Sequence, residues 1–141
     1  MWPKDFGNRL EAWNQLRNQS LEQPLDTVLS SINTWWFHTP WVPYHLHWDE
    51  RTNWPDPWQL LEDNVYCELA RGLGMLYTIA IINRADIDTV VLTEVDSDNL
   101  VLIDKSKYIL NWDKEEIVNI NLGPQNPRRS VSLDQVKQQI K

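Results

Sequence analysis

The sequence predicts an α+β domain, with helices in its first half and an antiparallel sheet in its second half. Two observations lead to this class. Apolar residues recur at helical spacing from Phe6 to Trp36, and after Gly74 short β-branched runs alternate with turn residues. A chain of 141 residues is most simply a single domain with one core.

The two helices expected first differ in the signals that define them. Apolar residues from Phe6 to Leu16 predict an amphipathic helix over residues 5–18. A second helix is predicted over residues 20–36, because Ser20 and Gln23 have capping-box spacing and an apolar stripe follows them.

The middle of the chain begins with a proline-rich segment, residues 37–55, which we expect to be extended. Asp56 then precedes a helix over residues 57–63, "PWQLLED". Asn64 is expected to cap a further short helix, "VYCELARGL", and Gly74 to end it in the left-handed conformation.

The strands are predicted from β-branched runs. "MLYTIAII", residues 75–82, is typical of a central buried strand, and an antiparallel meander follows over residues 88–95, 100–104, 107–112 and 116–122. "GPQNPRR" is expected to be a linker, and Ser132 with Gln135 predicts a last short helix. This divides the chain into a domain, residues 1–122, and a linker with a C-terminal tail helix, residues 123–141.

Charge and composition limit the classes of partner that the protein is expected to bind. The net charge is −7, of which residues 123–141 carry +3, so residues 1–122 carry −10. An acidic body repels phosphates, which argues against nucleic-acid binding, whereas the basic tail suits an acidic partner. A single cysteine excludes an intrachain disulfide, and no apolar run is long enough to predict a membrane span.

Cys67 is the residue on which the functional interpretation turns. It is predicted in the first turn of a helix, where unpaired backbone N–H groups stabilise a thiolate. A cysteine hydrolase also needs a base within hydrogen-bonding reach and a group that orients this base. The alternative is that Cys67 is a small buried apolar residue.

The stretch "NWPDPWQLLEDNVYCELA" resembles the bacterial transglutaminase-like cysteine proteinases. In that family a proline-containing element precedes a helix that starts with "G-D-C-E-D-x-A", and strands with the catalytic His and an orienting Asp follow. The matching positions here are Trp54, Pro57, Gln59, Leu61, Cys67, Glu68 and Ala70. The resemblance implies a papain/transglutaminase-like fold, with Cys67 and Asp104 as vestigial catalytic candidates and Thr89 at the histidine position.

The departures from the family pattern predict that the catalytic activity of the family has been lost. Threonine cannot replace histidine as a base, and no histidine follows position 47. The upstream residues His38, His45 and His47 could be packing residues or supply a substitute base. They could also form part of a metal site with Asp49, Glu50 or Cys67; we expect no metal and no cofactor.

The tryptophans form a second candidate feature. Six of the nine lie within 24 consecutive residues and are expected to form a core or a protein interface: Trp35, Trp36, Trp41, Trp48, Trp54 and Trp58. The alternative is a glycan-binding surface on which sugar rings stack.

The longer stretch "WPDPWQLLEDNVYCELARGLGMLYTI" also resembles small transglutaminase-like proteins of tailed phages, especially T4-like and cyanobacterial phages. This resemblance implies a non-enzymatic component of the virion tail, neck or baseplate that is made in the host cytoplasm. Residues 1–18 and 123–141 would then contact other virion proteins. The alternatives are an active cysteine peptidase, amidase or acyltransferase that uses Cys67, and a tryptophan-rich glycan-binding module.

Overall fold

The computed structural model of the chain describes residues 2–118, 127–138 and 140, and it confirms the α+β class. Helices α1 to α4 come first, a four-stranded antiparallel sheet follows, and a short helix α5 ends the described chain. The helices are α1 Phe6–Gln19, α2 Leu25–Phe37, a 3₁₀ helix Trp48–Asn53, α3 Pro57–Asp63, α4 Glu68–Ile82 and α5 Leu133–Lys137. The strands are β1 Val90–Val95, β2 Asp98–Ile103, β3 Tyr108–Leu110 and β4 Pro127–Ser132.

Four predicted helices, α1, α2, α3 and α5, are confirmed as helices, and local capping explains where α3 and α5 begin. The Asp56 carboxylate accepts the N–H of Gln59, which completes a capping box at the start of α3. Ser132 and Gln135 form the same box at α5. The box predicted at Ser20 is wrong, because Ser20 ends α1 and its hydroxyl donates to the carbonyl oxygen of Leu16.

Helix α4 corrects the largest error of the sequence analysis. The helix continues from Glu68 to Ile82, so residues 75–82 are not a strand and Gly74 does not end a helix. A helix that is buried on almost every side lacks a polar face, and its sequence therefore resembles that of a buried strand. The helix ends at Asn83, which adopts the left-handed conformation with φ 49°.

The sheet has the strand order β3-β2-β1-β4, and α4 packs against β1 and β2. Val90 pairs with Ile103 at one end of the β1–β2 hairpin, and Val95 pairs with Asp98 at the other end. The predicted strand at residues 116–122 lies partly outside the described residues, although the Ile117 carbonyl accepts the N–H of Ile109 at 2.7 Å.

Strand β4 shows that the predicted linker and tail belong to the domain. Residues 127–129, expected in the linker, pair with β1 in antiparallel register. Val131 and Val136 are buried in the same core cluster as α4. The domain therefore includes residues 127–138, while residues 123–126 of the predicted linker lie outside the described residues.

The N-terminal segment is also part of the packed body. Trp13 is fully buried, and Trp2 packs against Trp35, Trp36 and Tyr66. Residues 2–18 therefore offer a partner only the outward face of α1 and of the short segment before it. Among the helices of the described chain, none is long and apolar enough to span a lipid bilayer.

Candidate functional site

An open cleft of about 440 Å³ lies where α4 begins and the turn between β1 and β2 closes the hairpin. Side chains from the extended segment before the 3₁₀ helix form one wall, and the hairpin and β4 form the other. The polar and aromatic residues that line the cleft include Trp41, Tyr44, His47, Asp49, Cys67, Glu68, Glu94, Asp96, Asn99, Arg128 and Arg129.

Cys67 immediately precedes α4 and lines this cleft. Its backbone is extended, its carbonyl accepts the N–H of Arg71, and the residue is 4% exposed. The Sγ atom accepts a hydrogen bond from the N–H of Leu46 at 3.4 Å. The backbone thus uses the thiol as an acceptor, and little of the side chain is open to solvent.

Thr89 and Asp104 lie at the opposite end of the hairpin from this cleft. The Asp104 carboxylate accepts the backbone N–H groups of Asp88 and Thr89 at 2.8 and 3.0 Å. Val90 and Ile103, next to these residues, form the hairpin end that is remote from the β1–β2 turn. The fold does not bring Cys67, Thr89 and Asp104 together, and Asp104 stabilises the entry into β1.

The three histidines have separate surroundings. His47 lines the cleft, and its ring packs on Tyr44 with a centroid distance of 4.4 Å. His45 lies 3.7 Å from a carboxylate oxygen of Asp63, and Nδ1 of His38 lies 2.8 Å from the Thr34 carbonyl. Within the described residues, no imidazole nitrogen is hydrogen-bonded to the thiol.

The metal interpretation gains no support. Over the described ranges, no three or more His, Cys, Asp and Glu side chains are grouped closely enough to hold an ion. A zinc site needs three or four such ligands.

Glu68 and Asn99 form a partly buried polar connection that the sequence did not predict. The Glu68 carboxylate accepts the backbone N–H of Asn99 at 2.5 Å and its side-chain amide at 3.2 Å. The Asn99 side-chain oxygen accepts the indole N–H of Trp48 at 2.8 Å. Burial raises the pKa of Glu68, and Asp98 adds to this, while the hydrogen bonds from Asn99 oppose it.

Asn111 extends this connection to the helices. Its amide donates to the carbonyl oxygens of Glu68 and Asn99, and its own oxygen accepts from Arg71. Its backbone N–H donates to the side chain of Asn33 on α2. Asn111 has a left-handed backbone (φ 72°), which asparagine tolerates better than most residues. The asparagine itself was therefore the signal in the sequence that could have indicated a special position here.

The opposite wall of the cleft is held by Arg129 of β4. Its guanidinium lies 2.6 Å from Asp49 Oδ1 and 3.4 Å from Glu94 Oε1. The pair with Asp49 joins the 3₁₀ helix to the sheet. Glu94 Oε1 is buried and accepts no hydrogen bond from the described residues.

The six tryptophans do not form one cluster. Trp36 and Trp54 are buried, Trp35 and Trp48 are partly buried, and Trp41 and Trp58 are 55% and 37% exposed. Trp35 and Trp36 pack with Trp2, Trp48 packs with Trp54, and Trp58 packs with Trp13. Most of these rings therefore fill the core, and Trp41 is the tryptophan among these six that is exposed at the cleft.

Comparison of the chain with protein-family models, curated proteins and solved structures finds no match. The transglutaminase-like relationship therefore remains a prediction from the resemblance.

Proposed function

We propose that this protein is a non-enzymatic structural component of a tailed-phage virion, in the tail, neck or baseplate, built on a degenerate transglutaminase-like fold. One observation supports the proposal that the protein has no cysteine-hydrolase activity. The thiol of Cys67 is almost fully buried and accepts a backbone N–H, while Thr89 and Asp104 lie at the far end of the hairpin. Without a base and an orienting carboxylate at the sulfur, proton transfer from the thiol is not assisted.

The order of elements supports the structural class proposed. The cysteine comes directly before the central helix α4, this helix packs against an antiparallel sheet, and the strands follow it in the chain. The cysteine, the helix and the later strands come in the order of the family pattern, and this order supports the proposal. Helix α4 is longer than the sequence predicted, and the residues at the catalytic positions are not assembled.

Without catalysis by Cys67, the proposed role of the protein is contact with other virion proteins. The exposed rings of Trp41, Tyr44 and Trp58 supply the large apolar side chains that anchor protein interfaces. The partners proposed are other virion proteins, contacted through residues 1–18 and 123–141 and through these rings.

Two measurements test the proposal together. The first is the rate at which iodoacetamide alkylates Cys67 at pH 6 and pH 8, in buffer and in urea. We expect slow alkylation in buffer at both pH values and fast alkylation in urea at pH 8, because burial protects the thiol. The second is co-sedimentation of the tagged chain with particles of a phage that carries it, where we expect a fixed copy number per particle.

The outcome that contradicts the proposal is equally definite. Fast alkylation at pH 6 in buffer, together with absence of the chain from purified particles, would reject a structural role. Cys67→Ser is the control for alkylation, and serine also suits the position before a helix.

A second candidate is a cysteine peptidase, amidase or acyltransferase in which His47 serves as the base for Cys67. The observation that favours it is that both residues line one open cleft at the start of α4. For this candidate, alkylation at pH 6 is fast in the native chain and becomes slow in His47→Ala. His38→Ala is the matched control, because His38 contacts a helix carbonyl on α2.

A further inference from the structure

The mouth of the Cys67 cleft carries two unusually exposed rings. Tyr44 is 70% exposed and Trp41 is 55% exposed, and both line the cleft. The guanidinium carbon of Arg71 already lies 5.3 Å from the ring centroid of Trp41. Arg71 thus takes up part of this ring, and the exposed 55% of Trp41 leaves surface against which a second cation can lie.

The walls of the cleft carry more acidic than basic groups. Asp49, Glu68, Glu94 and Asp96 face two arginines, Arg128 and Arg129. Arg129 pairs with Asp49 and with Glu94, but the second pair is long, and Glu94 Oε1 accepts no hydrogen bond from the described residues. The long pair with Arg129 neutralises Glu94 only in part, so the carboxylates of the cleft keep an excess of negative charge that favours a cationic ligand.

We propose that this cleft binds a lysine or arginine side chain on an extended polypeptide segment of a partner protein. The cationic group lies between the rings of Trp41 and Tyr44 and the carboxylates of Glu68, Glu94 and Asp96. Cation–π contacts and charge-assisted hydrogen bonds then act together. This inference rests on the proposed function only in that the partner is taken to be another protein of the same assembly.

Charge selects this occupant over other ligands that stack on rings. A nucleic acid is repelled by the carboxylates and by the charge of −10 on residues 1–122. A neutral saccharide stacks on Trp41 but gains nothing from the excess of negative charge. A basic side chain uses both features, and its polypeptide supplies the apolar contacts for Tyr44.

The test uses small blocked amino acids and the indole N–H signals of the full chain. Nα-acetyl-lysine methylamide and Nα-acetyl-arginine methylamide are titrated, with Nα-acetyl-norleucine methylamide as the uncharged control and chitotriose as the saccharide. The signals of Trp41 and Trp48 are assigned with Trp41→Phe and Trp48→Phe. We expect saturable shifts of both signals with lysine and arginine, and none with norleucine or chitotriose.

Isosteric variants identify the carboxylates. Glu68→Gln keeps an oxygen that accepts from Asn99, and Asp96→Asn keeps a residue that tolerates the left-handed φ of 55°. Each is expected to weaken binding about threefold or more. Glu11→Gln, an exposed position on α1, changes the same charge elsewhere and is expected to leave binding unchanged.

Several results would overturn the inference. They are the absence of shifts with both cationic probes, equal shifts with norleucine, stronger shifts with chitotriose, and equal binding by the Glu68 and Asp96 variants and the parent. If the chain still co-sediments with virions in these cases, this inference fails and the proposed function stands. If the cationic probes bind but the chain is absent from virions, the proposed function fails and the cleft's specificity stands.

Discussion

At the residue scale, Gly74 shows how a glycine can serve packing while its sequence context indicates a helix end. A Cβ atom built at Gly74 would lie 2.5 Å from the ring of Trp36. The absent side chain lets the indole lie directly on α4, where its N–H donates to the hydroxyl of Thr78 at 3.0 Å. Trp13 donates to the same hydroxyl, so this contact joins α1, α2 and α4.

Gly74→Ala is therefore expected to destabilise the protein, although alanine favours a helix. The added methyl group forces the Trp36 ring to move, and overpacking of this kind costs about 1–3 kcal/mol. Urea denaturation followed by tryptophan fluorescence measures the change in the free energy of unfolding. Gly7→Ala on α1 is the control: its Cβ would meet the flexible Asp5 carboxylate, at 3.2 Å, and no ring, so its effect on stability should be much smaller than that of Gly74→Ala. Equal stability of Gly74→Ala and the parent would contradict this packing.

Glu68 makes the stability depend on pH in a defined direction. Because burial raises its pKa in the folded protein, the native state binds more protons than the unfolded chain between the ordinary and the raised pKa. The contribution of Glu68 to stability is therefore present below its ordinary pKa of 4.5 and is lost as the pH rises through the raised value.

Glu68→Gln should remove this dependence. We expect the variant to gain stability relative to the parent as the pH rises from 4 to 7, measured as the difference in urea midpoints at each pH. The same difference for Glu11→Gln should stay nearly constant. A difference for Glu68→Gln that falls with rising pH would show that the carboxylate is stabilised by its surroundings.

At the element scale, β4 and α5 close the edge of the sheet and the core beneath it. Val131 on β4 is 1% exposed and Val136 on α5 is fully buried. Lys137 on α5 also donates to the side chain of Asn83, which ends α4. The end of the described chain is therefore integral to the domain.

Val131→Ala and Val136→Ala should each lower the free energy of unfolding by roughly 2 kcal/mol, because each removes buried methyl groups and leaves a cavity. Val118→Ala, at a position that is 47% exposed, is the matched control and should have a small effect. Urea denaturation measures all three. If the two buried variants behaved like the control, residues 123–141 would act as a tail after all.

At the scale of the whole molecule, the charge distribution limits what the protein binds. The net charge is −7, and Arg129 of the basic C-terminal part is engaged with Asp49 and Glu94. Arg129, one of the basic residues expected to form a free tail, therefore neutralises part of the acidic body. A surface of this kind does not attract a polyanion.

We accordingly expect no binding of double-stranded DNA at physiological salt, measured by gel mobility shift with a 30-base-pair duplex. A purified basic DNA-binding protein serves as the positive control. Retardation that weakens steeply as salt rises would contradict the expectation, because that dependence marks phosphate contacts.

The sequence predicted correctly the elements that depend on neighbouring residues, and it failed where the structure depends on contacts between distant segments. Capping at Asp56 and Ser132 was predicted correctly, because each box joins residues three positions apart, but the same spacing at Ser20 failed because Ser20 bonds to Leu16 at the end of α1. The β1–β2 hairpin was predicted because its turn residues are local. The error at residues 75–82 arose because a buried helix and a buried strand have the same apolar composition. The error at residues 127–132 arose because this segment becomes a strand only by pairing with distant β1.

The residues of the candidate site also fall into a group that the sequence indicated and a group that it did not. The sequence singled out Cys67 and the rings at Trp41 and Trp48, because these residue types are informative by themselves. It did not indicate the contacts among Glu68, Asn99 and Asn111, whose hydrogen-bonded partners are 12 to 43 positions apart.

The sequence by itself determined the α+β class, the acidic charge and the short-range caps, since these depend on composition or on neighbours along the chain. Only the tertiary structure decided that Thr89 and Asp104 lie away from Cys67, that α4 is one continuous helix, and that β4 completes the sheet. The physical reason is that burial and pairing between distant segments are properties of the folded chain, and local propensity does not encode them.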